Sequence, residues 1–243
     1  MRSIGGIVGQ LREVATWTLE SARNRGLRAT ATIVLSVVED SFFDWRFGTE
    51  TRRVVNSDEL EASLANRSHA TRYKATKARP FRDLLRRLDL PPDSTFVDLG
   101  CGKGRVLLLA AQHPFQRVVG IEFSHPLAEQ ARRNVEIFRA TVRTLAPIEV
   151  CEDDVTRHAL RGDENVFFLY NPFDAVILGQ CVENIRRSVV ARPRQIWVIY
   201  SAPLHAGILD ASGLFVRCET FSLRGTDFQV YTTGAAGGAP GPA

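Results

Sequence analysis

Cysteine and histidine are sparse in this 243-residue chain, and methionine is nearly absent: four Cys, five His and one Met. Cys101, Cys151, Cys181 and Cys218 stand 50, 30 and 37 residues apart, with no C-x-x-C pair and no histidine at zinc-ligand spacing. That excludes a disulfide framework or a structural zinc site as the organising feature, and reads as buried or incidental thiols in a reducing compartment. The most membrane-like run, Ala29 to Val38, is bounded by Arg28 and by Glu39-Asp40. It falls short of the roughly 20 residues a bilayer requires, so no membrane span is expected. Acids follow it directly and no small-residue cleavage pattern does, so no signal peptide is expected either and the protein is assigned to the cytoplasm. No G-x-x-x-x-G-K-[ST] sequence occurs, which argues against a nucleoside-triphosphate site. Charge of one sign is also lacking, with 31 Lys and Arg against 27 acids. An acidic partner is permitted by this balance, not implied.

A hydrophobic content of 44% is enough for one large core, and the length allows one domain with an appended segment. Ile7, Val8, Leu11, Val14, Ala15, Thr18, Leu19 and Ala22 recur at helical spacing, and a second helix is expected over Leu27 to Glu39. Ser41 to Gly48 carries four aromatics that either anchor this extension on the main domain or line an acceptor pocket. Between Glu61 and Leu90, eight Lys and Arg face three acids, a patch that could attract nucleic acid. Because Phe81, Leu84, Leu85 and Leu88 lie at i, i+3, i+4 and i+7, Arg82, Arg86 and Arg87 read instead as the solvated side of a helix. Strands are expected at Phe96–Leu99, Val118–Glu122, Ile148–Cys151, Val166–Tyr170 and Gln195–Tyr200, with helices between them. Such continuous apolar runs indicate parallel strands covered on both faces. Leu214–Leu223 and Phe228–Thr232 read as a closing antiparallel hairpin. The last ten residues, Gly234 to Ala243, are only Gly, Ala and Pro and read as a disordered tail.

The informative stretch is Phe96-Val97-Asp98-Leu99-Gly100-Cys101-Gly102-Lys103-Gly104-Arg105-Val106, a strand running through a glycine-rich turn into a helix. Glycines at alternate positions permit a tight turn and close approach of a ligand to the backbone. The turn reads G-x-G-x-G rather than the dinucleotide G-x-G-x-x-G, and Asp98 precedes it by two residues. A carboxylate there repels phosphates and suits a cationic moiety, which points away from NAD and toward S-adenosylmethionine. Glu122 ends the second strand, 24 residues after Asp98, where an acid can accept hydrogen bonds from both ribose hydroxyls. Asp153 or Asp154 follows the third strand, in position for an adenine amino group. Asn171-Pro172-Phe173 follows the fourth strand, expected beside the first. Lys103 reads as a solvent-facing residue. Cys101 belongs to the cofactor-binding set by position, although its thiol is expected to pack away from the ligand.

Together Asp98 to Gly104, Glu122, Asp153-Asp154 and Asn171-Pro172-Phe173 resemble the class I S-adenosylmethionine-dependent methyltransferases over roughly residues 70 to 233. The resemblance implies a Rossmann-like α/β fold with strand order 3-2-1-4-5-7-6 and an antiparallel last pair. It places Gly100, Gly102 and Gly104 beneath the methionine part, Glu122 at the ribose and Asp153 or Asp154 at adenine. A finer likeness, carried by Tyr73-Lys74-Ala75-Thr76, is to non-SET protein lysine methyltransferases, including the ATP synthase c-subunit lysine methyltransferase group. By that likeness Tyr73 and Thr76 close over the cofactor. The family motif for planar amines is [D/N]-P-P-[Y/F], and Asn171-Pro172-Phe173-Asp174 departs from it by one proline, which speaks against base methylation while keeping a nitrogen acceptor.

The expected reaction is therefore methyl transfer to nitrogen, on a protein lysine or a small-molecule amine, with Asn171, Pro172 and Phe173 at the reacting end. No metal is expected. Asp174, Tyr170 and Tyr200 are candidate proton relays. Expected domains are a helical extension or lid over 1–68, the methyltransferase domain over 69–233 and the tail over 234–243, with a homodimer through the N-terminal helices among the arrangements allowed. The competing readings are a non-catalytic scaffold, an O-directed small-molecule methyltransferase and a dehydrogenase.

Overall fold

The computed structural model describes residues 42–52, 75–144, 146–171 and 174–234, together with 23, 26, 27, 31 and 35. Tyr73, Pro172, Phe173, most of the two helices expected at the N-terminus and the tail beyond Gly234 lie outside the described residues, and so does the dimer expected through those helices. After a helical segment over 42–47, the elements are α1 (Ala78–Leu85), β1 (Thr95–Leu99), α2 (Arg105–Ala110), β2 (Arg117–Glu122), α3 (His125–Thr141) and β3 (Ile148–Glu152). They continue with β4 (Glu164–Leu169), α4 (Ala175–Ala191), β5 (Trp197–Ser201), α5 (Ala206–Asp210), β6 (Arg217–Leu223) and β7 (Thr226–Thr232).

The strands form one sheet in the order β3-β2-β1-β4-β5-β7-β6. The first five are parallel, and β7 runs antiparallel to both β5 and β6. This is the expected class I order. Successive side chains on a strand point to opposite faces, and the core divides accordingly. Phe96, Val118, Val166 and Phe168 face α1, α2 and α3, whereas Val97, Val119, Phe167 and Val198 face α4 and α5. Because both faces are covered, the strand residues read as unbroken apolar runs. The short helix α5 is an element that no hydrophobic period marks in the sequence; it buries Leu209 alone.

The aromatics of residues 42–47 are divided. Phe43 and Phe47 are buried and pack on Phe138 of α3, with ring centroids 6.4 and 4.8 Å away, while Phe42 and Trp45 are exposed. The first two anchor the segment on the sheet domain. Arg86 and Arg87 are exposed as expected of a solvated face. Arg82 is not: it is half-buried, bonds Gln112 and lies over the Phe43 ring. The anchoring segment covers that side of α1, which no period within α1 reveals.

Candidate functional site

The carboxyl ends of the parallel strands meet at the glycine turn. Gly100, Gly102 and Gly104 have φ of 79°, 53° and 81°, all in the left-handed region where a Cβ is strained. A side chain at Gly104 would also press on Ala131 of α3, at 3.2 Å. The turn is tied to β2: the Gly100 and Cys101 amides both donate to the Ile121 carbonyl, at 2.9 and 3.0 Å. Gly120 lets it lie that close, since a Cβ there would stand 2.8 Å from Cys101 Sγ and 2.5 Å from Leu107 Cδ1. The Cys101 thiol thus packs into the core, and burial raises its pKa well above the usual value.

Two carboxylates are buried beside this turn. Glu122 is 4% exposed and accepts from the amides of Gly102 (2.9 Å) and Ser124 (3.0 Å). Burial still outweighs these bonds and lifts its pKa from 4.5 to about 7. Asp98 is 3% exposed, and burial, then the neighbouring Glu122 charge, raises its pKa well above the usual carboxylate value. Ser124 Oγ, also buried, has no hydrogen-bond partner among the described residues. A cationic ligand with hydroxyl groups suits this set. The sulfonium, ammonium and ribose of S-adenosylmethionine meet that description, so the residues fit the cofactor. Thr76 is buried nearby in sequence to α1.

Asp153 and Asp154 lie in the loop after β3. Asp153 binds His158 Nδ1 at 2.8 Å, and its amide donates to the Glu122 carbonyl at 3.0 Å, holding the two strand ends together. Asp154 accepts from the Thr156 amide and hydroxyl, at 2.9 and 2.7 Å. At the end of β4, Asn171 is left-handed (φ 43°), as is Ala202 after β5 (φ 48°). The Asn171 Nδ2 donates to the Ala202 carbonyl, and its Oδ1 accepts from the Leu204 amide at 3.3 Å. Non-glycine residues held at positive φ cluster where function over-determines the backbone. Asp174 caps α4 by accepting from the Val176 and Ile177 amides, and the Tyr200 hydroxyl accepts from the His205 amide at 3.2 Å.

One site-forming residue runs against the sequence reading, and a second is not singled out by it. Lys103 does not face solvent: it is 4% exposed and pairs with Glu50 at 3.0 Å. Arg105, 2% exposed, donates to Thr51 Oγ1 at 2.6 Å, pairs with Asp44 at 3.4 Å and lies over the Phe43 ring. Asn134, with no exposed surface, bridges both sides: it accepts from the Glu50 amide and donates to the carbonyls of Glu50 and Lys103. Residues 42–52 therefore lie as a strap on the back of the turn.

Residues 52–175, just over half of the chain, match the family model described as histone methylation protein DOT1. The chain belongs to this family. With its strand order, that membership makes it a class I S-adenosylmethionine-dependent methyltransferase, and S-adenosylmethionine is its cofactor. Among curated relatives, a trans-aconitate 2-methyltransferase of Streptomyces coelicolor is 38% identical over 33% of this chain and 31% of its own length. An uncharacterized 37.1 kDa protein in transposon TN4556 of Streptomyces fradiae is 40% identical over 46% of this chain and 32% of its own. The chain thus spans about a third of the length of the curated relatives it matches. Among solved structures, an RNA methyltransferase from Salinibacter ruber in complex with S-adenosyl-L-homocysteine aligns over 69% of this chain and 97% of that one, with 22% identity and a TM-score of 0.48.

Within this DOT1-family domain the structure brings Asp98, Gly100, Cys101, Gly102, Gly104 and Glu122 to one place. Asp153, Asp154 and Asn171 stand on the neighbouring strand ends, and the residues missed in the sequence are Lys103, Arg105 and Asn134 behind the turn. One signal pointed to Arg105: a cation in the first turn of a helix opposes the helix dipole and needs an acid or hydroxyl partner to hold it there. Among the described residues, no helix is long and apolar enough to cross a membrane, and no cluster of His, Cys, Asp and Glu could hold a metal.

Proposed function

We propose that this DOT1-family methyltransferase transfers the methyl group to a nitrogen acceptor, a protein lysine or a small-molecule amine, in the cytoplasm. The observation that carries the reading is Asn171, whose side-chain amide is oriented by Ala202 and Leu204 at the end of β4, the strand beside the glycine turn. Asn171 presents an oxygen that can accept an acceptor N–H, and Pro172 and Phe173 complete the reacting end. Glu122 holds the ribose, Asp153 or Asp154 meets the adenine, and Tyr73 with Thr76 closes over the cofactor. When bound, the cofactor supplies a methyl group on a sulfonium, already a good leaving group. What this chain contributes is orientation: the turn and the carboxylates hold one partner while the β4 and β5 ends hold the other, a source of roughly 7–11 kcal/mol in favourable cases. Asp174 and Tyr200, being a helix cap and a loop hydrogen-bond acceptor, serve the shape of that end rather than proton relay.

The test is transfer of radiolabel from S-adenosylmethionine to a host lysate by the wild type and Asn171→Ala. Base-stable label that is lost about a hundredfold in the variant, with cofactor binding retained, is the expected result. Base-labile label marks a methyl ester and moves the reading to an oxygen acceptor. Label at the wild-type rate from Asn171→Ala removes Asn171 from the reacting end.

A further inference from the structure

Three glycines give the turn its shape but do not by themselves hold it, because glycine populates left- and right-handed conformations alike. The amides of Gly100, Cys101, Gly102 and Gly104 are each tied within the turn or to β2. Lys103, between the two left-handed glycines, is tied elsewhere. Its carbonyl accepts from Asn134 Nδ2 at 2.9 Å and its ammonium pairs with Glu50. The exposures of the two partners differ sharply: the Lys103 side chain is 5% exposed and that of Glu50 57%. An ammonium so placed tolerates burial only with its partner present, since an orphaned buried charge is expensive. Glycine on either side leaves the 102–104 backbone free to give way toward solvent, and the Gly102 amide that bonds Glu122 would go with it.

We propose that Glu50 and Lys103 are positioning residues of the cofactor site: Glu50 neutralises the buried Lys103 ammonium, so that the glycine turn, seated by Asn134, stays in its binding geometry. Cofactor affinity is thereby coupled to the strap, whose residues 42–51 precede the span matched by the family model. The inference rests on reading the turn as the cofactor seat.

The experiment measures calorimetric binding of S-adenosyl-L-homocysteine to the full chain as wild type, Glu50→Gln, and Glu50→Gln combined with Lys103→Met, with limited trypsin digestion in parallel. Glu50 is exposed, so its variant keeps the fold. Glu50→Gln is expected to weaken binding by about three- to tenfold, in the range of coupling seen for residues that act through others. It should also open a cut after Lys103 that the ligand suppresses. Adding Lys103→Met removes the orphaned charge while keeping the apolar stem, and should return affinity to near wild type. A pair whose contact itself props the turn gives no such rescue. Wild-type affinity in Glu50→Gln, or a double variant no better than the single, overturns the proposal. A wild type that binds no S-adenosyl-L-homocysteine overturns the cofactor reading itself, whatever the variants do.

Discussion

Replacing Glu122 by Gln should reverse its effect on stability between acid and neutral pH. Burial raises the folded-state pKa of Glu122 from 4.5 to about 7, which amounts to about 3 kcal/mol of preference for the neutral form. A raised carboxyl pKa stabilises the fold fully below the unfolded value near 4.5, and that contribution is lost as pH rises through about 7. Above about 7 the wild type therefore carries a buried carboxylate at a cost of about 3 kcal/mol. Gln is neutral throughout, but its NH2 faces one of the two amides, of Gly102 and Ser124, that the carboxylate accepts from, losing about 1–2 kcal/mol. The difference leaves Glu122→Gln more stable than wild type by about 1–2 kcal/mol at about pH 8, and less stable by up to about 1 kcal/mol at about pH 5. Asp98, the other charge at this site, adds in the same direction, because losing the Glu122 charge relieves its own ionisation. Urea unfolding followed by circular dichroism at both pH values measures the difference. A gap between the two proteins that stays constant with pH refutes the reasoning.

Glu122 also predicts that S-adenosylmethionine binds more tightly as pH rises from about 6 to about 8, through its pKa of about 7, by up to about tenfold for the proton displaced. Calorimetric enthalpies that do not change with buffer ionisation heat would show that no proton leaves. Gly120→Ala should lower stability by about 1–3 kcal/mol, because its Cβ meets Leu107 and Cys101 at 2.5 and 2.8 Å in a packed core. Its thermal midpoint should fall accordingly, and an unchanged midpoint would mean the turn can lift from β2 without penalty.

Much of this fold was legible because its signals are local. Five apolar strands each ended in a polar or glycine residue, and parallel pairing with both faces covered leaves little freedom in their order. Asp98 and Glu122 could be placed at strand ends for the same reason. Element ends moved by a residue or two: β5 runs to Ser201, α2 stops at Ala110, and β6 begins at Arg217 rather than Leu214. Lys103 was misread for a reason that no window on the chain could correct. Its acid is 53 residues away and its carbonyl's donor 31 away, so the residues that bury it are absent from its neighbourhood in sequence. Arg82 is a second case, covered by an aromatic that belongs to another segment.

The strap has a consequence for how the chain is made. Its residues leave the ribosome before the domain they strap, yet the amide of Glu50 bonds Asn134, 84 positions later. At about 5–20 residues per second, synthesis alone leaves Phe43 and Phe47 without their seat on Phe138 for several seconds. During that interval two aromatic rings and the acids meant for Lys103 and Arg105 stand open to any binder of nascent chains. The turn that receives the cofactor takes its final shape only after the third helix of the domain has emerged.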